Sequence, residues 1–522
     1  MKVLLINPPI TSIGEIKIAN HPPLGLAYLA AYIRQQTSFK VKILDALVEG
    51  KNYPVEKKYF RSGLTDKQIK NIIRRYNPDV VGVSLMFTPY YQDGIRMNKL
   101  AKEVNPKIIT VAGGAHTSSD PQKMIELGFD LAVFGEGEET FLEVLKEISN
   151  KQKVKSKKKE SENLSLITYH ISPALKQING LAYKSPEDKV VINPPRSLIK
   201  NLDTLPFPAW ELLPMKKYDR PEDLTVMKHP LFSVTTSRGC PGHCVYCSVQ
   251  TVWGRTWRGR SPKNVVDEIE ILIKKYGIRE IHFMDDSLSV NKGRLTSICE
   301  EIIKRKLKFK WATPNGIAHW TLDEALVVKM KQAGCYRLTF GIESGNPQMR
   351  AWLGKPYGLK QADRLIRYAN RIGLWTIATF ILGFPYETKK QINQTINYAI
   401  KSDLDFTQFY RLSPKPGTKV YKIFERENLL PADEELCLEG QPVDTVHFTK
   451  EELTSLRAQA YRDFLRSRII KFANPLRIIN KIRSLDDLQY ILKIIFLGLS
   501  MSIGFLFRRN SQVTSKQVKG NF

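Results

Sequence analysis

Cysteine is scarce in this chain: six occur in 522 residues, and none precedes Cys240. Three of them, Cys240, Cys244 and Cys247, fall within eight residues, while Cys299, Cys335 and Cys437 are scattered. That distribution excludes the disulfide framework of a small secreted domain. The apolar run that opens the chain, Val3–Ile6, is too short for a signal peptide, so a reducing, cytoplasmic location is expected. Long hydrophobic runs are missing with one exception, residues 490–507, where Lys493 is the sole charge. As a helix this run would span roughly 27 Å, just short of a hydrocarbon core. Acidic residues are few, 52 against 80 basic ones, for a formal charge of +28. Such an excess means a lysine-rich solvated surface or attraction to acidic lipid, nucleic acid or phosphorylated substrates, and charge alone does not choose among them. With 42% hydrophobic and 25% charged residues the composition is that of an ordered globular protein, long enough for two or three domains.

Up to about residue 150, short apolar runs alternate with helical stretches. Strands are expected at Lys2–Asn7, Val41–Leu44, Val80–Leu85, Ile108–Ala112 and Leu131–Phe134, and helices at Pro23–Gln35, Asp66–Tyr76 and Glu139–Ile148. This rhythm predicts a doubly wound, Rossmann-like parallel sheet whose ligand lies at the carboxyl ends of the strands. The lysine-rich stretch Lys151–Glu160 reads as an exposed loop, and 151–230 as a connector packed between domains. From 231 to 445 the alternation resumes, with strands expected at Ser233–Thr236, Glu280–Met284, Lys310–Thr313, Arg337–Gly341, Thr376–Leu382 and Asp405–Leu412. Six βα units are too few for a closed eight-stranded barrel, so a partial (β/α)6 barrel of the TIM type is expected. Residues 446–522 form a basic, helical C-terminal extension.

The strongest local signal is Arg238-Gly239-Cys240-Pro241-Gly242-His243-Cys244-Val245-Tyr246-Cys247, directly after an apolar strand. Three thiolates at these spacings can hold three corners of a [4Fe–4S] cluster and leave the fourth iron open. The alternative is a structural zinc knuckle. Closed zinc sites take four protein ligands, and His243 is awkwardly placed to be the fourth.

With an aromatic residue before its last cysteine, this motif resembles that of the radical S-adenosylmethionine superfamily. The resemblance extends to Met284-Asp285-Asp286-Ser287, Gly341-Ile342-Glu343-Ser344-Gly345, Ile381-Leu382-Gly383-Phe384-Pro385 and Ser413-Pro414-Lys415-Pro416-Gly417-Thr418, in family order. It implies a [4Fe–4S] cluster on Cys240, Cys244 and Cys247, with S-adenosylmethionine bound by Tyr246, Asp285, Asp286, Glu343, Ser344 and Gly383. It further implies formation of a 5′-deoxyadenosyl radical and a reductase, flavodoxin or ferredoxin as electron donor. Asp285 and Asp286 could instead merely cap local structure. Arg255, Arg258 and Arg260 read equally as an anion site or a solvated turn.

The N-terminal region resembles the cobalamin-binding domain fused to many such enzymes, through Asn7-Pro8-Pro9, His21-Pro22-Pro23-Leu24-Gly25, Gly113-Gly114-Ala115-His116 and Gly135-Glu136-Gly137-Glu138. The resemblance implies cobalamin contacts from Pro22, Pro23, Thr88, Gly113, Gly114, His116, Gly135, Glu136 and Gly137. No Asp-x-His-x-x-Gly occurs; the nearest string, Asp45-Ala46-Leu47-Val48-Glu49-Gly50, has leucine for histidine. No protein histidine is therefore expected on cobalt, and the weaker alternative is a domain that has lost cobalamin. His21 and His116 read as structural or as neighbours of the cofactor.

The combined resemblance implies C-methylation of an unactivated carbon in a hydrophobic small molecule or lipid. The second reading is oxidative ring closure of the magnesium-protoporphyrin monomethyl ester cyclase type. A third, a transfer-RNA methylthiotransferase, lacks its N-terminal cysteine triad here, so no nucleic-acid partner is expected. The basic residues around 490–507 suit peripheral association with an anionic membrane; the competing reading is a cap packed on the barrel, and a true span ranks below both.

Overall fold

A computed structural model describes residues 1–13, 21–56, 59–158, 174–221, 223, 225–355, 357–430 and 443–496. Two open sheets organise these residues. In the first, strands Leu131–Val133, Ile109–Gly113, Val80–Ser84, Lys2–Asn7 and Lys40–Asp45 lie parallel in that spatial order. Val3, Leu4, Leu5 and Ile6 are all fully buried, because helices cover both faces. Val3 and Leu5 pack with Leu26, Ala27 and Ile33 of helix Leu24–Gln36 and with Phe141 and Leu145 of helix Gly137–Lys158. Leu4 and Ile6 point the other way, to Ile69 and Ile73 of helix Asp66–Tyr76 and Ile95 and Leu100 of helix Tyr91–Val104. Alternate residues of one strand thus serve opposite layers, giving the doubly wound α/β arrangement.

The lysine-rich stretch departs from expectation. Helix Gly137–Lys158 runs through it to the edge of the described residues. Lysines are good helix formers and stay solvated in either state, so without glycine or proline nothing ends the helix. Two short pieces of the connector, Leu181–Lys184 and Val190–Ile192, add antiparallel edge strands to the first sheet, with Leu181, Ala182 and Tyr183 buried. Further on, Ala209 N–H donates to Ala27 O (3.0 Å), Tyr218 OH donates to Asp45 Oδ2 (2.7 Å), and the Trp210 ring meets Phe232 edge-on at 5.1 Å. The connector thereby packs between the first sheet and the first strand of the second.

The second sheet has six parallel strands in chain order: Leu231–Val234, Glu280–Phe283, Lys310–Ala312, Cys335–Glu343, Trp375–Leu382 and Phe406–Arg411. The first and last do not pair with one another, so it is the expected partial barrel. Helices Pro262–Tyr276, Lys292–Lys304, Glu324–Gln332, Leu359–Arg371 and Lys389–Lys401 make the crossovers. Helix Lys450–Phe472 follows, then a short helix Pro475–Ile479 and a helix at 485–496. Of the apolar run 490–507, residues 497–507 lie outside the described residues, as does Cys437. Among the described residues no helix is long and apolar enough to cross a membrane.

Candidate active site

The cysteine loop leaves the first barrel strand through Ser237–Arg238, which pairs antiparallel with Arg258–Gly259. Gly239 then turns at φ +85°, where a Cβ would strike Thr256 O at 2.3 Å, so only glycine fits. Cys240, Cys244 and Cys247 are partly exposed free thiols. A Cβ on Gly242 would lie 3.3 Å from Cys240 Sγ and 3.8 Å from Cys244 Sγ, so this glycine keeps clear the space between the two sulfurs. Leu353 O accepts from Val245 N–H (3.2 Å), and Gly354 presses on the carbonyl of His243. His243 contacts Arg255 through Nδ1. Burial pushes the Cys247 thiol up to about 11 and raises Cys244 as well, while Lys355 pulls Cys244 back. The bare loop therefore disfavours thiolates at Cys244 and Cys247, and the positive metal core of a cluster is what would discharge their protons. Among the described residues no three His, Cys, Asp or Glu side chains converge as ligands of a single ion. Three thiols on one loop at spacings of four and three residues fit three corners of a cubane cluster.

The two aspartates after strand Glu280–Phe283 have different surroundings. Asp285 is buried and accepts from Thr236 N–H (3.1 Å), Thr236 Oγ1 (2.7 Å) and Ser237 Oγ, tying the second strand to the exit of the first. Asp286, half-buried, accepts from Gly239 N–H and lies within electrostatic reach of Cys247. Burial and then the neighbouring Asp285 push it up to about 7. Asp286 is thus the member of the pair that faces the cysteine loop.

Glu343 stands at φ +66° beside a register shift in its strand. Its carboxylate receives Lys355 Nζ at 2.9 Å, the hydroxyl of Tyr246, and Thr379 Oγ1 at 3.4 Å. Lys355 also donates to Gly341 O (3.1 Å) and lies over the Trp320 ring. Sequence reading passed over Lys355, because a lysine in a loop is ordinarily solvent-exposed; its flanking Gly354 and Pro356 were the available signal. Ser344, expected beside the cofactor, turns elsewhere: its Oγ lies 3.1 Å from Thr395 Oγ1 and accepts from Asn346 N–H, because Gly345 runs hard against helix Lys389–Lys401. Gly383, at φ +87°, donates its N–H to Glu387 Oε2 (2.9 Å), and burial pushes Glu387 up to about 7. The next residue, Phe384, packs on Tyr246 of the cysteine loop. All these groups lie at the carboxyl ends of the barrel strands.

The strand ends of the first sheet carry the second candidate site. Gly114 turns at φ +104°, close under Leu85 O, and Gly135 turns at φ +76° with open space where a Cβ would point. Met86 and Phe87 are exposed on the adjoining strand end. His116 is buried against Tyr91, with Nδ1 3.2 Å from Thr88 Oγ1 and Nε2 without a partner among the described residues. Burial and then Lys123 pull it down to about 4, so it is neutral at pH 7. An open glycine, exposed apolar side chains and a buried uncharged imidazole fit a flat, largely apolar macrocycle such as cobalamin.

Glu136, expected at this ligand, is engaged differently. Its carboxylate accepts from Arg238 (2.7 Å), Arg258 (2.8 Å) and Ile199 N–H (2.7 Å), and Glu138 accepts from Arg238 (2.5 Å). All four side chains are buried. Arg258 and Arg260 are therefore internal: Arg260 pairs with Glu268 and donates to Thr235 O (3.0 Å). A second bridge joins Ser119 Oγ to Thr251 Oγ1 at 3.2 Å, between the helix after Gly114 and the helix after Cys247. Pro22 and Pro23 open helix Leu24–Gln36, and His21 before them docks on Ser233 of the first barrel strand (2.9 Å). The loops of the two candidate sites are thus held against one another.

Two family models match the chain: the B12 binding domain over residues 19–145 and the radical SAM superfamily over 234–399. An uncharacterized methyltransferase of Pyrococcus horikoshii is 35% identical, over 90% of this chain and 94% of that protein. The cytidylyl-2-hydroxyethylphosphonate methyltransferase of Streptomyces wedmorensis is 30% identical, over 89% and 90%. The anaerobic magnesium-protoporphyrin IX monomethyl ester cyclase of Rubrivivax gelatinosus is 29% identical, over 81% and 70%. In fold the chain resembles the methyltransferase TsrM of Kitasatospora setae, solved with cobalamin and a [4Fe–4S] cluster, with a TM-score of 0.61 and 20% identity over 81% of this chain and 75% of that one.

Proposed function

The chain belongs to the cobalamin-dependent radical S-adenosylmethionine enzymes, and from that membership we propose that it is a C-methyltransferase acting on an unactivated carbon of a hydrophobic small molecule or lipid. The observation that carries this reading is the apposition of the two strand-end loops, joined through Glu136, Arg238 and Arg258. A substrate carbon between them would be within reach of both cofactors. When bound, the cluster with S-adenosylmethionine supplies hydrogen abstraction, and cobalamin supplies the methyl group.

The chain's own residues do the positioning. Cys240, Cys244 and Cys247 would hold the cluster. Asp286 and Glu343 present carboxylates for the amino group of S-adenosylmethionine, and Lys355 balances the charge of Glu343. Gly383 turns its strand end tightly under Leu453, with its N–H held by Glu387, which fixes the backbone beside the nucleoside. Gly135 leaves backbone open to the corrin, while Gly114 lets its loop turn close under Leu85. Trp320 stacked on Tyr357 at 4.2 Å, with Tyr357 exposed, adds an aromatic surface that favours an apolar substrate. The resemblance to the cyclase supports ring oxidation as the second reading.

The test is anaerobic reconstitution, an absorption spectrum with added cobalamin, and assay of 5′-deoxyadenosine and of label from methyl-labelled S-adenosylmethionine in product. Cluster, bound cobalamin and methylated product are expected, with Cys244→Ala keeping only the cobalamin. Deoxyadenosine with an oxidised, unmethylated product would favour the cyclase reading. Zinc at the cysteines with no cluster would overturn both.

A further inference from the structure

The last described helix, 485–496, has two apolar faces. One packs into the protein: Tyr490 lies edge-on to Tyr336 and Trp375, ring centroids 5.5 and 5.6 Å away, and Ile491 joins the same cluster. Trp375 begins its strand and Tyr336 is the second residue of another, so this helix closes the amino-terminal end of the barrel, opposite the cofactor loops. The other face carries Leu485, Leu488, Leu492, Ile495 and Phe496, whose spacing of three and four residues, with the last two adjacent, aligns them in one stripe. They are 78%, 41%, 58%, 49% and 65% exposed. Nearby, Ile469, Ile470 and Ile479 are exposed as well. Elsewhere among the described residues, exposed large apolar side chains stand singly or as one pair in the sequence. A group of this size on a soluble surface marks an interaction site.

Charge on the terminal helices points to the partner. Arg462, Arg466 and Ile469 share the outward face of helix Lys450–Phe472, opposite the buried Leu453, Ala460 and Phe464. Arg466 has Asp463 at 3.9 Å, and Arg483, also exposed, directly precedes the second helix. Asp486, the acid beside that stripe, is taken by Lys228. Beyond the described residues the sequence stays apolar from Leu497 to Phe507 and then reads Arg508-Arg509. The chain's own apolar segment laid over Arg462 and Arg483 would bury their guanidinium groups at a desolvation cost. A lipid surface supplies apolar depth and phosphate together.

We propose that the outer face of the terminal helices, from Arg462 to Phe496, docks on an anionic lipid bilayer: Ile469, Leu485, Leu488, Leu492 and Phe496 enter the headgroup boundary, and Arg462, Arg466 and Arg483 meet lipid phosphates. Helix 485–496 and the carboxyl end of helix Lys450–Phe472, where Arg468 meets Leu404 O, lie at the end of the barrel away from the cofactor loops, so docking through them leaves the active end open. This inference does not depend on the reaction proposed above.

The test is co-sedimentation of the full-length, anaerobically reconstituted chain with vesicles of phosphatidylcholine alone or of phosphatidylcholine with phosphatidylglycerol. Pelleting is expected with the anionic vesicles alone, and it should weaken as salt rises. Arg462→Gln with Arg466→Gln should lower vesicle affinity about thirty-fold. Leu488→Asp with Leu492→Asp should lower it more than about a hundred-fold. Both double variants should melt as the parent does and form 5′-deoxyadenosine at the parental rate in solution. Absence of pelleting with anionic vesicles, or pelleting that both double variants leave unchanged, overturns the proposal. So does a dimer in light scattering that Leu488→Asp with Leu492→Asp turns into a monomer while vesicle binding is absent.

Discussion

Asp285 and Asp286 carry the same functional group one residue apart, and their surroundings divide the work between them. Asp285 accepts from three donors of the first strand's exit. Asparagine there would turn an amide N–H toward donors, so Asp285→Asn should cost about 2–4 kcal/mol in chemical denaturation and lose the cluster with it. Asp286→Asn removes a carboxyl that burial and Asp285 hold up to about 7, so it should not destabilise the fold at pH 8, yet it should raise the KM for S-adenosylmethionine in the deoxyadenosine assay. Burial also sets a pH response. It pulls His319, near the barrel mouth, down to about 4, so the folded chain keeps it neutral. Its contribution is present above the ordinary histidine value near 6.5 and is lost as pH falls toward 4, by up to about 1.4 kcal/mol per pH unit. Glu387 works the opposite way: raised to about 7, it favours the fold at low pH and loses that contribution as pH rises through 7. The melting temperature of the parent should therefore fall relative to His319→Gln as pH drops below 6.5, and relative to Glu387→Gln as pH rises from about 4.5 to 7. Paired melts across pH 4.5 to 8 would check both signs.

At the scale of elements, the site is a set of strand exits whose turns demand particular residues. Gly239 and Gly277 both have positive φ, +85° and +67°, but a Cβ on Gly239 would strike Thr256 O while one on Gly277 meets nothing within 4 Å. Gly277→Ala should cost about 1–2 kcal/mol, the left-handed conformation alone. Gly239→Ala should cost more and also displace the cysteine loop, seen as lost iron and sulfide after reconstitution. The parallel strands are legible along the sequence, though not their order in the sheet, because buried parallel strands are runs of valine, isoleucine and leucine. Helix Gly137–Lys158 extends past the loop expected at Lys151–Glu160, because lysines look alike in helix and loop and only the lack of a breaker decides the matter. Leu181–Lys184 and Val190–Ile192 were too short to assign to a sheet without knowing which edge they reach.

For the whole molecule, the decisive feature is the buried group that crosses between the two sheets. Glu136, next to the open turn at Gly135, holds Arg238, two residues before Cys240, and Arg258 beside it. Removing the carboxylate charge strands two buried guanidinium groups, of which Arg238 retains Glu138. Glu136→Gln should thus cost about 3–5 kcal/mol. It should also turn a single unfolding transition in urea, followed by tryptophan fluorescence and by cobalamin absorbance, into two that no longer coincide. Lys481, buried and bonded to Asp405 Oδ2 (2.6 Å) and Leu374 O (2.7 Å), ties the terminal helices to the barrel in the same way.

By itself the sequence determined the two parallel α/β sheets and the cysteine motif, and it named the strand-end residues proposed here to meet the cofactors, because periodic burial and short motif spacings are local properties of a chain. The tertiary structure alone decided which of two adjacent aspartates is structural, that Glu136 grips arginines more than a hundred residues away, and that Lys355 turns inward to Glu343. It also decided that helix 485–496 packs one apolar face and leaves the other in solvent. Each of these depends on what folding brings from far along the chain into a dry contact, and desolvation, which sets the role of a charged or apolar group there, has no value until that contact exists.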